Sequence, residues 1–309
     1  MIDYLICDRG FTSVNNWRPN CWIELTCPTD AELDDVQRRY DLPIDFIKDI
    51  ADVEERPRIE AEDGWLMTIL RIPHKTDDAT VPFTTVPFGI LLKGDHFITI
   101  CHYETDMVQD FVHYSIRKSL TNRQGFDLLL SLFLSSSVWY LKDLKLMNSR
   151  IKDAERSLEE SIRNEELHTL MRFEKCLVYF ITSLRGNEMV MTRLHKHLRQ
   201  TGVEFDDDLL DEVEIELKQA YSTANIYSDI LAGTMDAYAS IISNNLNVIM
   251  KQLTSVSIIL MIPTLVASLY GMNVPNSLAD NPHGFWIIIF FSCCLSLFGI
   301  WMFKRYKFF

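Results

Sequence analysis

The spacing of hydrophobic positions changes along this chain, and each change marks a different kind of structure. Up to about residue 120, short runs rich in β-branched and aromatic residues occur at Trp65–Ile72, Phe88–Leu92 and Phe97–Cys101, and they read as strands. Lys93-Gly94-Asp95 lies between the last two and predicts a hairpin. Thr29-Asp30 is a plausible cap for a helix over Asp30–Tyr40. From Phe126 onward the pattern is helical almost without interruption. Phe126–Leu141 is apolar enough to imitate a membrane span, but it is short, carries Asp127 and runs straight into the charged stretch Lys142–Arg163. It therefore predicts a buried helix. The next helix places Leu170, Phe173, Leu177, Phe180, Leu184, Met191, Leu194 and Leu198 mostly three and four apart, which makes a packing seam.

After a break at Gly202, Asp206-Asp207-Asp208 can open another helix, because carboxylates suit its positive N-terminal end. From there to Gly271 no convincing stop occurs; Gly233 and Pro263 are single and tolerated. Some 65 residues at ~1.5 Å each make a rod of about 100 Å. Its last part, Val256–Tyr270, is apolar though interrupted by Ser257, Pro263, Thr264 and Ser268. A second apolar run, Gly284–Phe303, holds no ionisable residue except Cys293 and Cys294. Twenty helical residues cover roughly 30 Å, the thickness of a bilayer's hydrocarbon core.

Charge then orients these spans. The loop from Gly271 to His283 holds no Lys or Arg and one Asp280, whereas Lys304, Arg305 and Lys307 follow the second span. The positive-inside rule puts that tail, and so the large N-terminal part, in the cytoplasm. MIDYLICDRG has neither a basic n-region nor an apolar h-region and is not expected to be a signal peptide. Across the whole chain 48% of residues are hydrophobic and 24% charged, an average that hides the nearly uncharged last fifth. The net charge of -13 argues against nucleic acid as a partner. Seven cysteines without a CxxC pair and eight dispersed histidines suggest neither a zinc site nor a disulfide framework. His195 and His197 are two apart on a helix and read as surface polar residues. No Gly-rich phosphate loop or nucleophile elbow points to an enzyme, and no organic cofactor is expected.

The candidate chemistry lies on one face of the long helix. Asp229, Gly233, Asp236, Ser240, Ser243, Asn247, Met250, Thr254, Ser257, Met261, Thr264, Ser268 and Gly271 alternate steps of three and four, with a mean period of 3.5. A coiled-coil seam would place Leu, Ile or Val there; here the residues are small or polar, with methionines the bulky members. Hydroxyls or amides facing hydrocarbon are unfavourable. One reading is close helix packing through small residues. The other is a water-lined axis shared by several copies, with Asp229 and Asp236 as carboxylate rings and Met250, Leu253 and Met261 as apolar constrictions. The pore reading is favoured, because a packing motif does not require acids on the same stripe.

The helix ends in Tyr270-Gly271-Met272-Asn273, ahead of a short loop and the second span. This resembles the Gly-Met-Asn signature of the CorA family of divalent-cation (magnesium) transporters. The resemblance extends to Ala237–Ile262 with Pro263, to Lys175–Glu188 and to Asp211–Ala220. It implies an α+β membrane protein: a cytoplasmic α/β domain (1–125), a helical stalk region (126–247) continuous with the first transmembrane helix, and a two-helix transmembrane region (248–309, spans about 248–271 and 284–303). It further implies a homopentameric funnel in the bacterial inner membrane, embedded in lipid with both termini cytoplasmic. Its central pore would conduct hydrated Mg2+, with Co2+ or Ni2+ as further ions, selected by a ring of Asn273 amides. By position relative to the motif, Asn247, Met250, Leu253, Met261, Thr264 and Ser268 fall where that family lines its pore, and Asp236 at its inner mouth. Glu212, with Asp211 and Asp208, matches the stalk position at which cytoplasmic Mg2+ is thought to bind between subunits and close the pore.

Two features depart from the family pattern: Ser268 stands where many members have Gly, and the loop keeps Asp280 but lacks paired Glu residues. A rival within the fold is a ZntB-type proton-coupled Zn2+ transporter, which typically replaces the Met of the motif; Met272 favours the magnesium branch. A membrane-anchored sensor is a third reading, and it leaves the polar stripe unexplained.

Overall fold

The structure is a computed structural model that describes residues 2–78, 80–121, 123–160, 164–272 and 282–306. It contains two compact units, Met1–Ala232 and Gly233–Phe309.

The first unit is built on a seven-stranded sheet of order β2-β1-β3-β7-β6-β5-β4. The strands are β1 (Ile2–Cys7), β2 (Phe11–Val14), β3 (Trp22–Thr26), β4 (Arg58–Glu62), β5 (Trp65–Lys75), β6 (Phe83–Lys93) and β7 (His96–Cys101). Every pairing is antiparallel except β3 with β7. The expected hairpin is present: Lys93 pairs with His96, which leaves a two-residue turn of Gly94 and Asp95. Gly94 supplies the left-handed backbone that so tight a turn demands (φ +55°).

Alternation along β5 divides the core between the two faces of the sheet. Trp65, Met67 and Ile69 join Leu33, Val36, Phe46 and Ile50 from helices α1 (Asp30–Tyr40) and α2 (Ile44–Ala51). Helix α1 starts where the sequence suggests: the Thr29 hydroxyl accepts from the Glu32 amide, and the Glu32 carboxylate accepts in return from the Thr29 amide at 2.8 Å, a capping box. Against β5 and β6 pack α4 (Gly125–Glu160) and α5 (Asn164–Thr201); α3 (Asp106–Lys118) packs between β2 and α4. The membrane-like run in α4 is a buried helix, with Leu128, Leu129, Leu130, Leu132 and Phe133 in the core. All eight seam residues of α5 are buried as well.

A polar network fixes those helices to the sheet. Asn187 of α5 donates to the Arg71 carbonyl at 2.8 Å and accepts from the Arg71 amide at 3.0 Å. The Tyr140 hydroxyl of α4 donates to the same carbonyl at 2.8 Å. The Arg71 side chain reaches the Val53 and Glu55 carbonyls, holding down the loop whose Pro57 lies over Gly186. Buried backbone groups at a mid-strand position thereby find partners without another strand.

Helix α6 (Asp207–Tyr270) is unbroken for 64 residues, through Gly233 and through Pro263. Asp206 caps it, its carboxylate accepting from the Leu209 amide at 3.1 Å. Helix α7 (Gly284–Arg305) follows, slightly longer than the apolar run alone implies because Lys304 and Arg305 complete its last turn. Both α6 and α7 are long and apolar enough to cross a membrane.

Candidate functional site

Within the second unit, α6 and α7 pack through one face of each. Ser255 of α6 is buried, and Ile259 and Ile262 approach Gly299 of α7 closely enough that a Cβ there would sit 3.4 Å from the Ile262 side chain. Ser292 of α7 is buried too. At 3.6 residues per turn, Ser255, Ile259, Ile262 and Val266 share one face of α6. The candidate stripe is centred roughly 140° further round the helix. Within this unit the polar and small residues therefore turn away from α7.

Each described stripe position is exposed in the single chain: Asp229 in the first unit, and in the second Gly233, Asp236, Ser240, Ser243, Asn247, Met250, Thr254, Ser257, Met261, Thr264, Ser268 and Gly271. Leu253, between the two methionine levels, is 59% exposed. Met272 is exposed, while Asn273 and Asp280 of the loop and Lys307 of the tail lie outside the described residues.

Two of the hydroxyls on this face bond back to their own helix. Ser257 donates to the Leu253 carbonyl at 2.8 Å and Thr264 to the Leu260 carbonyl at 3.2 Å. Back-bonding of this kind satisfies the proton within the helix and leaves oxygen lone pairs pointing outward. An outward row of hydroxyl and amide oxygens can replace bulk water around a hydrated cation without stripping its shell, which suits an ion that dehydrates reluctantly. Asp236 adds negative charge at the start of this face in the second unit, which enriches cations locally.

The candidate regulatory carboxylates sit near the start of α6. Asp208, Asp211 and Glu212 follow an i, i+3, i+4 spacing and so share a face of the helix. All three are exposed, and among the described residues no group of three or more His, Cys, Asp or Glu is placed to hold a metal within one chain. Their neighbours are spoken for: Asp207 pairs with Arg199 at 2.6 Å, and Asp206 with Arg123 at 3.1 Å. The Leu209 amide, helped by Arg123, holds the Asp206 carboxyl below its usual range. Glu212 borders a cleft of about 480 Å³ lined by α3, α4 and α6. This cleft was not legible in the sequence, since its α6 wall comes from a segment far along the chain from α3 and α4. His195, expected on the surface, is half-buried and pairs with Glu214 at 2.8 Å, a contact between α5 and α6.

Comparison with known proteins gives consistent matches. The family model described as CorA-like Mg2+ transporter protein matches residues 18–305. A cobalt/magnesium transport protein CorA from Methanocaldococcus jannaschii is 25% identical over 289 residues, covering 92% of this chain and 90% of its own. Among solved structures, the complete CorA magnesium transporter from the same organism superposes with a TM-score of 0.84 at 21% identity, covering 99% of this chain and 98% of that one. The ZntB cytoplasmic domain from Vibrio parahaemolyticus gives a TM-score of 0.61 at 12% identity and covers 79% of this chain and 98% of its own, a likeness of fold alone.

Proposed function

This chain belongs to the CorA-like Mg2+ transporter family, and from that premise we propose that it conducts hydrated Mg2+ down its electrochemical gradient through a pore lined by the stripe of α6. The observation that carries the proposal is the direction of that stripe within the second unit: from Gly233 to Gly271 its small and polar residues are exposed on the side of α6 away from α7. A single chain cannot enclose water with one helix face. Several copies arranged about an axis can, and we take the assembly to be a homopentamer in the inner membrane. The domain division proposed is an α/β domain over 1–125, a stalk region over 126–247 and a transmembrane region over 248–309.

In this reading Asp229 and Asp236 form acidic rings at the cytoplasmic side. Ser240, Ser243, Asn247, Thr254, Ser257, Thr264 and Ser268 line the path with oxygens. Met250, Leu253 and Met261 form apolar levels at which the path closes by losing water. Gly271, Met272 and Asn273 form the outer selectivity motif, in which a ring of neutral amides holds the ion through its first water shell. Co2+ and Ni2+, of similar size and charge, are further candidate ions, and no organic cofactor is required. Glu212, with Asp211 and Asp208, is proposed to hold cytoplasmic Mg2+ against a neighbouring subunit and so favour the closed pore.

The test is ion flux into liposomes carrying the purified protein, with Asn273→Ala beside the wild type and Mg2+, Co2+ and Zn2+ in turn. Mg2+ flux driven by its own gradient and altered by the substitution is the expected result. Zn2+ flux that needs a pH gradient would move the protein to a ZntB-like mechanism. No flux of any ion at low internal Mg2+ would leave an anchored sensor.

A further inference from the structure

The cleft beside Glu212 carries charges of both signs that do not neutralise one another. On the α3 wall stand His113, Tyr114 and Arg117, and on the α6 wall Glu212 and Glu216. The Arg117 guanidinium centre lies 5.8 Å from the Tyr114 ring centroid, a cation–π contact. Among the described residues neither Arg117, Glu212 nor Glu216 enters an ion pair, whereas the other charges around the cleft are paired: Arg123 with Asp206 at 3.1 Å and Asp110 with Lys142 at 3.4 Å. The floor, on α4, is partly apolar and partly open, with Val138 48% exposed, and Tyr114 on the α3 wall is 43% exposed. At about 480 Å³ the cleft has the size of a small-molecule site, and it lies entirely within the first unit.

We propose that this cleft binds a magnesium-bound nucleoside phosphate, its phosphates on Arg117 and His113 and its metal ion against Glu212 and Glu216. A ligand that satisfies both walls must itself carry both signs, and a phosphate chain with its bound Mg2+ does so. The planar guanidinium presents forked donors that match phosphate oxygens. Mg2+ keeps most of its water and is commonly held by one or two carboxylates together with substrate phosphates. The Tyr114–Arg117 pair and the Val138 floor offer a flat, half-apolar surface for a base. The metal half of the site rests on the reading of Glu212 as a metal-facing carboxylate; the phosphate half rests on Arg117 and His113 and is independent of it. Because Glu212 and Glu216 stand on α6, the helix that carries the candidate pore stripe, occupation of the cleft would let the cell's nucleotide-bound Mg2+ as well as the free ion act on the transporter.

The experiment is equilibrium binding of ATP, ADP and AMP to the full-length protein in lipid nanodiscs, with Mg2+ or with a chelator. Saturable ATP binding that falls at least about tenfold without Mg2+, and at least about tenfold in Arg117→Ala, is expected. Arg117→Lys should fall between, since it keeps charge but loses the fork. Arg193→Ala, outside the cleft, should bind as the wild type does, and thermal melts of every variant check folding. In Glu212→Gln the Mg2+ dependence of binding should shrink while Mg2+-free binding persists. Absence of saturable nucleotide binding, equal binding by Arg117→Ala, or inorganic phosphate binding as tightly as ATP would each overturn the proposal. Mg2+ inhibition of flux, read on Glu212→Gln in parallel, separates the two ideas. Relief of inhibition without any nucleotide binding would sink the cleft proposal and leave Glu212 regulatory. Nucleotide binding with inhibition unchanged would do the reverse.

Discussion

Helix α5 in the first unit and the part of helix α6 in the second are both long and both rich in leucine, yet they treat it in opposite ways. Leu170, Leu177, Leu184 and Leu194 of α5 are fully buried against the sheet and α4. Leu260, Met261, Leu265 and Leu269 of α6 are each more than 60% exposed, as is Phe290 of α7. Apolar surface of that extent has no stable place in water. The first unit makes its own apolar interior. The second leaves its apolar side chains exposed, and in the proposed reading it is covered by lipid on one side and by further copies of the chain on the other. The polar stripe makes sense only in the second setting, because hydroxyls, amides and acids in one row are as ill-placed against lipid as leucine is against water.

If this contrast holds, the same type of substitution should act differently in the two units. Leu177→Ala should lower the unfolding free energy of the first unit by about 2–5 kcal/mol, as cavity formation in a closed core does. Leu265→Ala, on an exposed face of α6, should change it by less than about 1 kcal/mol. Denaturant titration of the detergent-solubilised protein reads both, and equal effects would break the comparison. Asn187→Ala should cost about 1–3 kcal/mol, because it strands the Arg71 amide and weakens the hold on its carbonyl. Thr29→Ala should cost about 1 kcal/mol through loss of the capping box.

A smaller, pH-dependent effect is expected from His74. Burial lowers its pKa below the ordinary value of 6.5. The folded state therefore favours the neutral ring, so its stability is fully present above about pH 6.5 and is lost as pH falls toward the folded pKa. A melting temperature that drops across this window in the wild type and drops less in His74→Phe is expected; identical pH profiles would contradict the assignment.

Legibility in the sequence followed how strongly each segment is patterned. The Asp30–Tyr40 helix, the β6–β7 hairpin, the α5 seam and the unbroken α6 all stood out, because each repeats one period over several turns or carries a cap or a turn residue. The strands β1 to β4 did not. β4 reads Arg-Ile-Glu-Ala-Glu and has one strand neighbour, so it needs few apolar positions. The parallel β3–β7 pairing joins segments about 75 residues apart, and no local pattern encodes it. Helix α2 is short, and its apolar residues make too few repeats to register; α3 carries a Thr105 cap that could have marked its start.

For the candidate site, the stripe was readable because polar residues in an apolar background repeat at 3.5. The complementary face formed by Ser255, Ile259, Ile262 and Val266 was not, because at this depth the packed and the exposed faces are alike in composition. The cleft beside Glu212 was also out of reach, since it exists only once α3, α4 and α6 have come together.

The central claim is that the stripe of α6, and not its opposite face, lines the ion path. It is tested most directly by placing single cysteines along α6, in a background with Cys293 and Cys294 replaced by Ser. Block of Mg2+ flux by a water-soluble thiol reagent is then measured in liposomes. Block is expected at Ser243, Asn247, Thr254, Ser257, Thr264 and Ser268, and absent at Ser255, Ile259 and Ile262. Block at the second set, or block without the three-and-four spacing, would contradict the account.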